Sequence, residues 1–206
     1  MYCIIYKFYT EEEFTTQYKT HLLGGILVGV SALKVMNEVT GITPNITSIE
    51  NMTFMLGAMA GSLFPDIDCR NSYIGRRARI SSTVISGLFE HRGATHAPII
   101  VTLFTAFLYL ISKNFLPYPF IKALLIGFYI GNLAHILLDM ITKGGVPLLF
   151  PFTKTKFNLT KIKTGSIGEM VIFFIMIIVL LLKLRDFFRF ITAVKAVSFF
   201  VIDVSI

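Results

Sequence analysis

The 206-residue chain is long enough for one domain with its own core, yet 54% of its residues are hydrophobic, only 15% are charged, and its mean hydropathy is +0.73. A soluble domain carries about 25% charged residues, so this composition argues against an ordinary soluble enzyme and for a polytopic membrane protein. The net charge of +7 reads as loop topology and contact with membrane lipids and their anionic head groups; no nucleic acid is expected as a partner.

The start, MYCIIYKFYTEEEF, has a short apolar run followed at once by Glu11, Glu12 and Glu13. That is a poor signal peptide, and residues 1–18 are expected to form an interfacial segment. Apolar runs follow at 21–36, 52–64, 97–112, 119–141, 167–184 and 190–202. A perpendicular span needs about 20 residues at about 1.5 Å each, a length that 119–141 reaches comfortably. Pro65 cuts the second run short. The expected fold class is all-α: a polytopic integral membrane helix bundle with four to six transmembrane or partly embedded helices. Residues 19–152 are expected as the membrane-embedded core, and 153–206 as a basic linker with C-terminal hydrophobic helices.

Small-xxx-small pairs at Gly25/Gly29, Gly57/Gly61 and Gly127/Gly131 let helix backbones approach closely in lipid. They predict a tight bundle of the first, second and fourth runs. The stretch CRNSYIGRRARISSTVISGLF (69–89) is basic, then mildly apolar; it is expected to hold a short amphipathic helix on the membrane surface. A second basic stretch, TKTKFNLTKIKTG, covers 153–165. The two cysteines, Cys3 and Cys69, lack C-x-x-C spacing, so no disulfide framework is indicated.

If the runs cross the bilayer alternately, His21, Asp66, Asp68, His91, His96, His135 and Asp139 all arrive at one face. Those are all four histidines; the remaining aspartates, Asp186 and Asp203, stand in the C-terminal region. Ionisable groups in or beside membrane helices are costly and mark function. His135 and Asp139, four apart on a helix, share one side. Asp66 and Asp68, two apart, face the same way on an extended turn. Gly93 is a hinge that can turn His91 and His96 inward, and Asn132 is placed to support His135 from one turn earlier. Seven N/O donors exceed the four of a tetrahedral zinc site. They suit one or two divalent metal ions, and the imidazole–carboxylate mixture favours Zn, Mn, Fe or Ni over Ca.

These residues resemble the YdjM-type family of inner-membrane proteins. The resemblance rests on KTHLLGG (19–25), GSLFPDID (61–68), HRGATH (91–96) and GNLAHILLDMITKGGVPLLFPF (131–152), and beyond 152 it is only hydrophobic. It implies a membrane-bound metal-dependent hydrolase with the seven His and Asp residues as its motif set. Ala97 stands where family members often have Ser.

The expected activity is metal-assisted hydrolysis at the membrane–water interface of a lipid or lipid-linked phosphoester. Asp66 or Glu90 would serve as general base and Arg92 as the clamp for an anion. The alternatives are a divalent-metal transporter, or a non-catalytic membrane protein with a structural metal or polar network. A serine hydrolase is disfavoured, since no G-x-S-x-G is present. The face holding the site carries most of the lysine and arginine, which places it on the cytoplasmic side of the inner membrane, although Lys183, Arg185 and Arg189 fall on the other side.

Overall fold

The computed structural model describes the backbone of residues 11–40, 49–112 and 118–203, and side chains within 17–35, 49–112 and 119–185. Seven α-helices lie within these residues: α1 (Glu11–Thr40), α2 (Ile49–Leu63), α3 (Tyr73–Arg77), α4 (Arg79–Leu88), α5 (Pro98–Ser112), α6 (Tyr118–Ile141) and α7 (Ile167–Asp203). Short 3-10 turns occupy Phe64–Asp68 and Ala94–His96. The all-α expectation holds. The two C-terminal apolar runs, expected as separate helices, are joined in the single helix α7, because no Gly or Pro stands between 184 and 190 to break it.

Among the described residues, two helices are long and apolar enough to cross a membrane, Pro119–Ile141 and Ile167–Arg185. Only 11% of the second is buried, so its Phe, Ile and Leu side chains point away from the protein. That is the arrangement of a helix solvated by lipid.

The core is a glycine-mediated contact between α2 and α6. A Cβ on Gly61 would stand 2.0 Å from the Phe128 carbonyl oxygen, and one on Gly127 would stand 2.0 Å from that of Phe54. Gly57 and Gly131 meet the Leu124 and Ala58 carbonyls in the same way. Any side chain at these four positions would separate the helices. α1 lies against the pair through Gly25, whose added Cβ would meet Ser62, and Gly29, which faces Ala58. The tight bundle expected of these three runs is therefore present.

Pro65 ends α2 and turns the chain into Phe64–Asp68. Ser72 caps α3, accepting a 2.9 Å hydrogen bond from the Gly75 amide. Beyond α6 the chain doubles back over 142–166. The Lys143 amide donates to the Ile162 carbonyl at 2.8 Å, Val146 and Phe157 exchange a pair of bonds, and the Leu159 amide reaches the Met140 carbonyl at 2.7 Å. Gly145 makes the turn with φ +62°. Cys69 is buried and disulfide-bonded, a pairing not expected from the cysteine spacing. The other cysteine, Cys3, lies outside the described residues.

Candidate metal centre

His21 arrives from α1, and Asp66 and Asp68 from the turn after α2. His91 and His96 come from the loop before α5, and His135 and Asp139 from the last two turns of α6. All but His91 are buried, with His96 and His135 wholly enclosed. The convergence expected from alternating runs is realised.

The hydrogen bonds fix which ring nitrogens are free. His135 Nδ1 is 2.7 Å from the Ser62 carbonyl oxygen. A carbonyl only accepts, so Nδ1 carries the proton and Nε2 presents a lone pair. His96 Nδ1 lies 3.3 Å from Asp68 Oδ2, which likewise assigns its proton to Nδ1 and leaves Nε2 free. The two Nε2 atoms face each other at 3.2 Å. Asp139 Oδ2 is 3.2 Å from His96 Nε2 and 3.5 Å from His135 Nε2. Asp66 Oδ1 is 3.8 and 3.6 Å from the same two nitrogens. Asp139 Oδ2 is buried and has no hydrogen-bond partner among the described residues.

Three electron-rich atoms, the two Nε2 and Asp139 Oδ2, thus converge with no proton of their own between them, and Asp66 Oδ1 stands beside the two nitrogens. Only a positive charge makes that arrangement stable: an extra proton or a metal cation. Donors about 2.0–2.1 Å from a zinc-sized ion stand about 3.3 Å apart in a tetrahedron. The three edges between His96 Nε2, His135 Nε2 and Asp139 Oδ2, 3.2–3.5 Å, match that spacing, so these three residues fit a divalent metal.

The supporting shell is as ordered as the donors. Asp68 takes His91 Nδ1 on Oδ1 at 2.8 Å, and on Oδ2 the Arg92 amide at 3.1 Å and the Thr95 hydroxyl at 2.5 Å. Burial would raise its pKa. The charge of His96 and the His91 hydrogen bond outweigh burial and hold the carboxyl well below the usual range. Asp68 therefore orients His96 as a carboxylate orients a ligating imidazole. It also forms, with Asp66 and His91, a second group of donors close enough to share an ion. Burial would lower the pKa of His96, but Asp68 and then Asp139 push it up to about 10.

Arg92 is buried. Its guanidinium bonds Asp139 Oδ1 at 2.7 Å, Thr142 Oγ1 at 2.9 Å and Thr164 Oγ1 at 3.4 Å. It occupies one oxygen of Asp139 and so aims the other at the histidines. Its backbone is left-handed, φ 56°, a costly conformation for a non-glycine residue that its amide bond to Asp68 helps hold. Gly144 makes room for the side chain, since a Cβ there would stand 1.9 Å from an Arg92 guanidinium nitrogen.

His21 stacks on His135, ring centroids 3.8 Å apart, with Nε2 3.5 Å from Asp139 Oδ1. Glu90 is exposed and belongs to no group of three or more close metal-type donors among the described residues. Asn132 spends its amide on the Phe128 carbonyl of its own helix.

Several contributors carry little or no sequence signal. Thr95 and Thr142 stand beside motif residues, whereas Thr164 and Lys156 have no such mark. The Lys156 ammonium reaches the His91 carbonyl at 3.3 Å; burial and then Arg92 lower its pKa. A narrow crevice between α1, α6 and α7 reaches His21 and Asp139, and is also lined by Thr20, Thr142, Thr164 and Glu169.

The chain matches the family model described as "YdjM inner membrane protein" over residues 17–205. It is 34% identical over 154 residues to "Uncharacterized protein YvsG" of Bacillus subtilis, a match covering 75% of this chain and 85% of that protein. It is 34% identical over 133 residues to "Inner membrane protein YdjM" of Escherichia coli, covering 64% of this chain and 63% of the relative's length. The Shigella flexneri protein of the same name matches equally. No solved structure matches.

Proposed function

The chain belongs to the YdjM inner membrane protein family, and from that premise we propose that it is a membrane-embedded, metal-dependent hydrolase acting on a lipid or lipid-linked phosphoester. One observation carries the reading: the Nε2 atoms of His96 and His135 and the orphaned Asp139 Oδ2 converge on one point. His96, His135 and Asp139 would hold the cation. When bound, it supplies Lewis-acid polarisation and lowers the pKa of water from 15.7 toward about 7.

The chain's own residues do the rest. Ser62 and Asp68 keep both imidazoles in the ligating tautomer. Arg92 neutralises one oxygen of Asp139 and cannot swing to an outside anion without releasing it. Asp66, held by fewer neighbours than Asp68, is the better general base; Glu90, exposed and outside the donor groups, could act only through water. Lys156 is the cation best placed at the His91 side to meet a phosphate.

The transporter reading predicts ligands along both halves of a pathway. Here they gather at the ends of α2 and α6, on one side. A closed structural site takes four protein ligands, whereas His96, His135 and Asp139 make a group of three.

The test is metal content by mass spectrometry on detergent-purified protein, followed by phosphoester turnover with the ion found. Stoichiometric metal, lost in both His96→Ala and His135→Ala, is the expected result. Metal unchanged in both variants would sink the site; metal without turnover on any lipid phosphoester would leave the structural reading.

A further inference from the structure

Helix α4 has its apolar side turned outward. Ile80, Val84 and Leu88, at i, i+4 and i+8, are 85%, 55% and 71% exposed, while Ser82 on the opposite side is fully buried and Ser86 bonds Arg70. A helix at a water-facing surface shows the reverse pattern. Phe89 extends the stripe.

The N-terminal flank is cationic. Arg70, Arg76, Arg77 and Arg79 fall between Asp68 and Glu90 with no acidic residue among them. Arg77 lies over the Tyr73 ring at 3.7 Å, and Tyr73 stacks on Tyr18 of α1 at 4.3 Å, which fixes α3 to the bundle. Arg76 and Arg79 are exposed. α4 packs against the Phe64–Asp68 turn. That turn shares the metal centre with Asp139, two residues before the apolar span Pro119–Ile141 ends. The helix that carries the stripe therefore packs beside the end of that apolar span.

We propose that Ile80, Val84 and Leu88 of α4 lie in the boundary between head groups and acyl chains of an anionic bilayer, with Arg76 and Arg79 against lipid phosphates. Apolar insertion and a basic flank are the two components of interfacial helix binding. The charge complementarity selects lipid over a second copy of this chain, whose corresponding surface would carry the same arginines. The inference rests on membership of a membrane family and not on the metal reading, so either can fail alone.

The chain contains no tryptophan, so a single Trp reports its surroundings without background. Full-length Val84→Trp would be reconstituted into bilayers of anionic lipid with brominated acyl chains, beside Ile178→Trp on the outward side of α7 as the lipid-facing reference. The expected result is blue-shifted emission that loses most of its intensity to bromine. Adding Arg76→Gln and Arg79→Gln should weaken the quenching in anionic bilayers and leave it unchanged in zwitterionic ones. Emission at the wavelength of water-exposed Trp, unquenched, would overturn the proposal. So would blue-shifted but unquenched emission, with α4 cross-linking to a second copy.

Discussion

At the scale of single residues, the centre depends on the direction in which each donor atom is aimed. Asp68→Asn keeps the size but loses the charge that holds the His96 proton on Nδ1. Metal affinity should fall by about 10–100-fold without loss of the fold, measured by competition with a chromophoric chelator. Arg92→Lys removes the fork that bonds Asp139, Thr142 and Thr164 together. Asp139 should then turn, and metal retention should drop as far as in His135→Ala. In metal-free protein His96 has its pKa pushed up to about 10, so at neutral pH it holds a proton that the metal must displace. Metal affinity should rise by up to about tenfold per pH unit below about pH 10. Titrations in buffers of different ionisation enthalpy should show proton release on binding. Affinity independent of pH would mean that His96 is not a ligand.

At the scale of elements, the glycines of α2 and α6 set how closely the two helices that carry the donors approach. Gly61→Ala and Gly127→Ala each push a methyl group into a backbone carbonyl. Each should cost about 1–3 kcal/mol and lower the thermal midpoint in detergent, whereas Gly87→Ala, with open space around it, should not. These helices were legible in the sequence because small-xxx-small spacing and apolar runs are local patterns. The convergence of the seven His and Asp residues was legible too, because alternating runs send every second helix end to the same side. What was not legible is long-range. Arg92 meets Asp139 across 47 residues and Thr164 across 72, and no period in the sequence encodes a polar bond of that span. The fold-back of 142–166 was hidden for the same reason: it is held by single bridges rather than by a repeating pattern. The last two apolar runs join in α7 because Lys183, Arg185, Asp186 and Arg189, which interrupt the apolar pattern, are all compatible with a helix.

At the scale of the whole molecule, the open matter is which side of the membrane holds the centre. Two observations pull in opposite directions. The arginines of 70–79 and the lysines of 153–165 flank the site, and short basic loops stay in the cytoplasm. The disulfide at Cys69 fits an oxidising compartment, since cytosolic thiols are kept reduced. The charge argument is the stronger, because it sums many residues that must each be left uncrossed, whereas one disulfide can be lost or formed after cells are broken. The expected orientation therefore puts Arg76 inside. Arg76→Cys in a Cys3→Ser, Cys69→Ser background should resist a membrane-impermeant maleimide added to intact spheroplasts, and react once the membrane is opened. Labelling in intact spheroplasts would reverse the orientation and place the centre on the outer side.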